Sequence, residues 1–156
     1  MSSIFGSTQS HLARRIDVAS ACKKHGLEGE VLVVGDHAPA AERLVATLRV
    51  LFGYQAAIRR TRSQNDEINT LASRPPQLLF LADQSSQYAD LAAAISVLRV
   101  AGYIGPVIVV TKNATRAQRV RLIAGGVVDV IHSDDVDSSR VGEAIEAARK
   151  FSPADR

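Results

Sequence analysis

The chain of 156 residues contains no tryptophan, and aromatic residues make up only 4% of it. Proteins that bind single-stranded nucleic acid stack bases on aromatic side chains, so this composition argues against that class. The chain also has a single cysteine, Cys22, which excludes an intramolecular disulfide and a cysteine-based metal cluster. We interpret Cys22 as a small buried hydrophobic residue of a predicted helix.

Long apolar runs are missing as well. The first residues lack the apolar core of a secretory signal, and no run approaches the roughly 18 apolar residues of a membrane span. We therefore expect a cytoplasmic protein without membrane insertion. Apolar residues make up 46% of the chain and charged residues 22%, which is ordinary for a globular protein with one full core. The net charge of +3 permits an acidic partner without requiring one.

Residues 1–30 are predicted to form an N-terminal extension with one helix, at residues 10–25. The apolar residues of this helix recur every three to four positions, at Leu12, Ile16, Ala19 and Cys22. This stripe must be buried on the chain's own domain or on a partner, so Leu12 and Ile16 are candidate interaction residues. A homodimer, swapped or paired through this helix, is the natural hypothesis.

From residue 31 onward, apolar runs alternate with amphipathic stretches. The predicted strands are 31–34, 55–59, 78–81, 107–110 and 127–131. The predicted helices are 39–52, 63–73, 87–101, 115–124 and 138–151. Alternation of this kind implies crossover connections and a parallel sheet. We predict an α/β domain at 31–152, with a doubly wound five-stranded parallel sheet, followed by a disordered tail at 153–156.

The carboxyl ends of such strands meet at one edge of the sheet, where functional groups gather. The residues predicted there are Asp36 and His37, Arg59 and Arg60, Ala82 and Asp83, Thr111 and Lys112, and His132 and Ser133. Asp36 and His37 are too few for a strong metal site, so Asp36 is at most a weak ligand. No phosphate-binding glycine loop, nucleophile elbow or zinc-protease motif is present, and we expect no enzyme activity.

Basic residues gather at the start of the predicted helix 115–124. Arg116 and Arg119, together with Lys112 and Arg121, form a candidate docking patch for an acidic partner. No helix-turn-helix module follows, so we do not expect sequence-specific DNA binding.

Three motifs stand in a recognisable order and spacing. They are Val-Leu-Val-Val-Gly-Asp at 31–36, Pro-Val-Ile-Val-Val-Thr at 106–111, and Gly-Val-Val-Asp-Val-Ile at 126–131. With them, residues 31–151 resemble the receiver domains of bacterial two-component response regulators. Thr111 and Ser133 stand 22 residues apart, the spacing that this family shows between its switch hydroxyl and its lysine. The resemblance implies a flavodoxin-like receiver fold and a signalling protein, such as a histidine kinase, as partner.

The resemblance also implies a phosphorylation site. In the family, two acids after the first strand hold Mg²⁺, an aspartate ending the third strand accepts phosphate, and a hydroxyl and a lysine contact it. Here the acid pair is Gly35 and Asp36, the acceptor position aligns with Ala82, and the lysine position is Ser133. Of the residues that the family uses for phosphorylation, only two match here. Asp36 keeps one acid of the pair, and Thr111 keeps the hydroxyl group.

We interpret the chain as an atypical receiver, or pseudo-receiver: a non-enzymatic protein-interaction module that is independent of phosphorylation and needs no cofactor. Val130 supports this interpretation, because many receivers have a rotating Tyr or Phe at that position. One alternative is a phosphoacceptor regulator that uses Asp83, with Mg²⁺ at Asp36. It requires a third strand one residue longer than usual, since a one-residue slip turns a side chain to the other face. The other alternative is a receiver-like targeting domain of a pilus-assembly or localisation system.

Overall fold

The structure is a computed structural model that describes residues 29–35, 39–53, 57–62, 71, 73–82 and 91–151. Several predicted features lie outside the described residues. They are the helix 10–25 with Leu12, Ile16 and Cys22, most of the helix 63–73, the tail 153–156, and Asp36, His37 and Asp83.

Strands and helices alternate along the described residues. The strands are β1 (Val31–Val34), β2 (Ile58–Thr61), β3 (Leu78–Ala82), β4 (Val107–Thr111) and β5 (Asp129–His132). The α-helices are α1 (Pro39–Phe52), α2 (Leu91–Val100), α3 (Arg116–Ala124) and α4 (Ser138–Arg149), with a 3₁₀ turn at Ser133–Asp135. All strand pairs are parallel, in the order β2-β1-β3-β4-β5. This confirms the predicted doubly wound α/β fold.

Helices cover both faces of the sheet, which is why its central strands are continuous apolar runs. Side chains of one strand alternate between the faces. Phe80 of β3 packs with α1 and α4, in a cluster that includes Val141, whereas the neighbouring Leu79 packs with α2 and α3, beside Leu98. Each such burial stabilises the fold by about 1.5–3 kcal/mol. The two clusters form the core on the two faces of the sheet.

The second strand starts later than predicted. The sequence indicated 55–59, but the backbone pairs with β1 from Ile58, opposite Val31, to Thr61, opposite Val34. The sequence indicated a weak, edge-like strand that ends at Arg59, and its pattern gave no sign that the pairing continues through Arg60 and Thr61. β2 is an edge strand of the sheet, where charged side chains are tolerated.

This shift changes the position of Arg59 and Arg60, which lie within β2 and not at its carboxyl end. Adjacent residues of a strand point to opposite faces, so the two guanidinium groups diverge. Arg59 forms an ion pair with Glu30 (Nη1 to Oε1, 3.1 Å), and Arg60 forms one with Glu42 of α1. The predicted polar strand end at these two residues was therefore wrong.

The fifth strand also starts later than predicted, at Asp129 instead of 127. Val127 belongs to the turn after α3, where its N–H donates to the carbonyl of Leu122 (3.0 Å). Among the residues that the structure describes, no helix is both long and apolar enough to cross a membrane.

Candidate functional site

The candidate site lies at the carboxyl ends of the central strands. Val34 pairs with Leu81 and Ala82 pairs with Val110, so Gly35, which follows Val34, lies at the level of Ala82. Thr111 pairs with His132, and Ser133 follows directly. The structure thus brings Gly35, Ala82, Thr111 and Ser133 to one edge, as predicted; Asp36 and Asp83 lie outside the described residues.

Ala82 is the last residue of β3, which extends one residue beyond its predicted end, so the longer third strand that the Asp83 alternative requires is present. Its side chain is fully buried and forms a small cluster with the equally buried Ala41 of α1. It lies on the same face as Phe80, since side chains two apart in a strand share a face. The position that aligns with a phosphate acceptor therefore carries a methyl group packed against another methyl group.

Gly35 occupies the first position of the acid pair. Its φ angle is 95°, a conformation that glycine adopts readily and other residues rarely do. Its N–H donates to the carbonyl of Thr61 in β2 (2.9 Å), and the residue is buried. The backbone geometry at this position accounts for glycine, and an aspartate would be strained there.

Thr111 keeps its hydroxyl group, but the group takes part in the local turn. The residue is fully buried at the end of β4, and its Oγ1 accepts a hydrogen bond from the N–H of Asn113 (3.0 Å). A short hydroxyl-to-backbone bond of this kind stabilises the turn after a strand. The loop from β4 towards α3 is therefore held by the residue that aligns with the switch hydroxyl.

Ser133 starts the 3₁₀ turn and is only 8% exposed. Its carbonyl accepts a long hydrogen bond from Nη1 of Arg43 in α1 (3.5 Å). His132, before it, is half-buried and caps the turn, because its Nδ1 accepts from the N–H of Asp134 (3.0 Å). The lysine position thus has no cationic side chain of its own, although Arg43 brings a guanidinium group to its backbone.

Sequence reasoning missed Arg43, which lies 90 residues from Ser133 along the chain. The sequence showed only that a basic residue stands near the start of the amphipathic helix α1. A basic residue there is equally expected on a helix face that contacts only solvent. The contact depends on how α1 lies relative to the turn after β5, which the pattern of one helix cannot specify.

Sequence reasoning also missed an ionic network on β5. Arg140 of α4 donates two hydrogen bonds to the carboxylate of Asp129, from Nη1 to Oδ2 (2.8 Å) and from Nη2 to Oδ1 (2.9 Å). Arg119 of α3 lies 3.6 Å from the same carboxylate. The carbonyl of Val130 accepts from both arginines. Because β5 is an edge strand, the two arginines cover part of its outer edge and join α3 to α4.

The pKa of Asp129 lies below its ordinary value. Burial of the carboxyl group raises this pKa. Hydrogen bonds from Arg140 and from the N–H of Val130, together with the charges of Arg140 and Arg119, lower it by more than burial raises it. The pKa of Arg140 is raised, chiefly by its hydrogen bonds to Asp129. Both groups stay charged at neutral pH.

The predicted interaction residues Arg116 and Arg119 differ in their surroundings. Arg116 is exposed in the first turn of α3, which Thr115 caps by accepting from the N–H of Gln118 (3.2 Å). Arg119 is half-buried and bound to Asp129 and Val130. Arg116 therefore suits a partner contact, whereas Arg119 has a role within the domain.

The described part of this edge does not fit a magnesium cage. Mg²⁺ prefers carboxylate oxygens, and Gly35 and Ala82 have no side-chain oxygen. Across the described ranges, no three histidine, cysteine, aspartate or glutamate side chains group closely enough to share a metal ion. The predicted weak ligand, Asp36, lies outside those ranges, so metal binding there remains a prediction.

No protein-family model and no curated protein matches the chain. Solved structures do. A response regulator from Desulfuromonas acetoxidans has a TM-score of 0.56 and 18% identity, over 75% of this chain and 93% of that one. The signal receiver domain of a protein described as a Luxo repressor, from Vibrio parahaemolyticus, has a TM-score of 0.58 and 17% identity, over 80% and 92%. A protein described as a response regulator, from Chloroflexus aurantiacus, has a TM-score of 0.56 and 18% identity, over 75% of this chain and 97% of that one. At these identities the likeness shows the receiver fold.

Proposed function

We propose that the chain is an atypical receiver that transmits signals through protein contacts and does not cycle a phosphate. The observation that carries this proposal is Ala82, a fully buried alanine packed on Ala41 where a phosphoacceptor would end β3. A methyl group cannot form an acyl phosphate. The protein is then a binding module, with no reaction of its own and no cofactor.

The charges at the edge support the same proposal. A phosphoryl group is a dianion, and sites that transfer it surround it with positive charge. Ser133 supplies none, and the guanidinium of Arg43 is hydrogen-bonded to a backbone carbonyl. The next residues, Asp134 and Asp135, are exposed acids in the same turn. Both acids would repel a dianion at this edge, and they oppose the attraction of Lys112, the exposed cation that follows Thr111.

The partner that this proposal requires is another signalling protein, such as a histidine kinase, or a second copy of the chain. The predicted helix 10–25, through which a swapped or paired homodimer was expected, lies outside the described residues. Within them, a homodimer would use the exposed side of α3, where Val120 is 63% exposed. Size-exclusion chromatography with light scattering measures this directly. A dimer that Val120→Ser returns to monomer supports the homodimer, and a monomer at all concentrations excludes it.

Intact-mass spectrometry tests the central proposal. The wild-type protein and the Asp83→Ala variant are incubated with acetyl phosphate and Mg²⁺, and Asp134→Ala serves as a control at the same edge. We expect no added phosphoryl mass in any of the three proteins. A wild type that gains phosphoryl mass, with Asp83→Ala unlabelled and Asp134→Ala still labelled, would overturn the proposal in favour of the phosphoacceptor alternative.

A further inference from the structure

His132 closes the turn that follows β5 with its imidazole ring. Its Nδ1 accepts a hydrogen bond from the N–H of Asp134 (3.0 Å), and its φ and ψ angles of −67° and 139° are those of a residue that caps a helical turn. Side-chain oxygens of serine, threonine, asparagine or aspartate usually fill this role. A histidine cap differs from them, because an imidazole ring changes its protonation between about pH 5 and pH 8.

The hydrogen bond from Asp134 fixes which nitrogen of the His132 ring carries the proton. A backbone N–H can only donate, so Nδ1 must present its lone pair, and the neutral ring carries its proton on Nε2. In the imidazolium ion both ring nitrogens carry hydrogens, and neither can accept a hydrogen bond. The cap is therefore compatible with a neutral His132 and incompatible with a protonated one.

A partner for the protonated ring lies on the same residue that the neutral ring binds. Oδ2 of Asp134 is 3.7 Å from Nδ1 of His132. A protonated Nδ1 would donate towards this carboxylate, and the two opposite charges attract each other. Asp134 is exposed, so its N–H can bond to water once the ring no longer accepts from it. One proton thus exchanges a backbone hydrogen bond for a side-chain ion pair at a single ring nitrogen.

Charged groups from several elements lie around the turn. They are Asp134 and Asp135 in the turn itself, Asp137 and Arg140 at the start of α4, Arg43 of α1, and Lys112 after β4. Within the described part of the chain, Asp134 is the member of this group that contacts the ring. The exchange between cap and ion pair therefore depends on one pair of residues, and single substitutions can test it.

The turn that His132 closes connects the strand-end edge to the core. Ser133 is buried at the start of the turn, where its carbonyl accepts from Arg43, and Val136 is buried in the core at its end. Asp137, which follows, caps α4. Both ends of the turn are thus anchored, so a proton on the ring acts on the residues between them. These residues begin at the position that aligns with the lysine of receiver domains.

We propose that His132 is a pH-sensitive cap of the turn between β5 and α4. The neutral ring holds the turn by accepting from the amide of Asp134, and the protonated ring releases this amide and pairs with the Asp134 carboxylate instead. The chemical change is one proton, which Nδ1 takes from solvent. The device gives this edge a response to pH that needs no phosphoryl group, and it does not depend on the protein-contact function proposed above.

NMR spectroscopy of the ¹⁵N-labelled 156-residue chain, titrated from about pH 8 to about pH 5, tests the proposal. At the alkaline end, long-range ¹H–¹⁵N correlations of the His132 ring should show a proton on Nε2 and none on Nδ1. As the pH falls, Nδ1 should gain a proton. The amide proton of Asp134 should shift to lower frequency with the same midpoint, because it loses its hydrogen bond. The amide of Gly142, inside α4, should stay in place.

Two variants separate the cap from other effects of pH. His132→Asn supplies a side-chain oxygen that can cap the turn and does not titrate, so the amide of Asp134 should keep its position throughout. Asp134→Asn removes the carboxylate but keeps the backbone N–H. The amide of position 134 should still follow the ring in this variant, which excludes titration of the carboxylate as the cause of the shift.

His37→Gln is the matched control, because it removes the other histidine that the sequence places at this edge. The amide of Asp134 should respond in this variant as in the wild type. The proposal would be overturned by a proton on Nδ1 at the alkaline end, by a ring that stays neutral to the acidic end, or by an Asp134 amide that does not follow the ring. A response that persists in His132→Asn or disappears in His37→Gln would overturn it as well. The samples contain no acetyl phosphate, so these results are independent of phosphoryl transfer.

Discussion

At the residue scale, the strand-end edge is defined by small side chains in tight surroundings. Ala82 is buried against Ala41, and Gly35 beside it has a positive φ. An aspartate would destabilise the protein at either position. At position 82 its carboxylate would be buried away from water, and at position 35 the backbone conformation would be strained. The altered residues are thus matched to their surroundings, and a single substitution should not restore a phosphorylation site.

Ala82→Asp should lower the free energy of unfolding by about 2–4 kcal/mol, because it buries a carboxyl group without hydrogen-bond partners. Urea denaturation at pH 7 measures the change. Ala117→Asp is the matched control, since Ala117 is exposed in the first turn of α3 and its substitution should change stability by about 0.5 kcal/mol or less. If Ala82→Asp were as stable as this control, the edge would have room for an acceptor, contrary to our description.

Gly35→Asp should cost about 1–2 kcal/mol, because its φ of 95° strains a residue with a side chain. Gly142→Ala provides the opposite case. Gly142 lies inside α4, and an added Cβ would meet no atom within 4 Å, so alanine should stabilise the protein by about 0.5–1 kcal/mol. Thermal and urea unfolding measure the change in the free energy of unfolding for both variants. Equal effects of the same sign would show that backbone conformation does not decide the residue at position 35.

At the element scale, β5 is the strand through which the two flanking helices are joined. The carboxylate of Asp129 and the carbonyl of Val130 together hold Arg119 of α3 and Arg140 of α4. The carboxylate is largely buried, with 15% of its side chain exposed. Removing one partner from such a network leaves another charged group without compensation. The network therefore ties both α3 and α4 to the same edge strand.

Asp129→Asn should destabilise the protein by about 1–3 kcal/mol at pH 7, because Arg140 loses its charged partner. The pKa of Asp129 is lower in the folded protein than its unfolded value of about 3.9. Its stabilisation is therefore fully present above that unfolded value and is lost as the pH falls through the folded pKa. The difference in stability between wild type and variant should shrink from pH 7 towards pH 2.

Urea denaturation across this pH range provides the measurement for Asp129→Asn. Asp134→Asn is the control, since that side chain is 84% exposed, and it should stay close to the wild type throughout. A difference between wild type and Asp129→Asn that is constant with pH would contradict the lowered pKa.

At the scale of the whole molecule, the order of elements and the parallel sheet were predictable, because buried strands such as Val31–Val34 and amphipathic helices such as Pro39–Phe52 have distinct periodicities. The buried Ala82 and Ser133 were also placed at the correct edge. The continuation of β2 through Arg59 and Arg60 was not predictable, since both arginines are held by acids from outside the strand. The Arg43 contact and the Asp129 network were missed for the same reason: they join residues that meet only after the helices have packed.

The ¹H–¹⁵N correlation spectrum of the 156-residue chain, recorded with Mg²⁺ alone and with Mg²⁺ and acetyl phosphate, shows whether the protein responds to a phosphoryl donor. It reports on backbone amides throughout the domain and does not require a phosphorylated species that survives purification. We predict that the signals of Thr111, Ser133 and the residues of α3 stay in place when acetyl phosphate is added. A second set of signals for these residues, absent with Mg²⁺ alone, would contradict a phosphorylation-independent receiver.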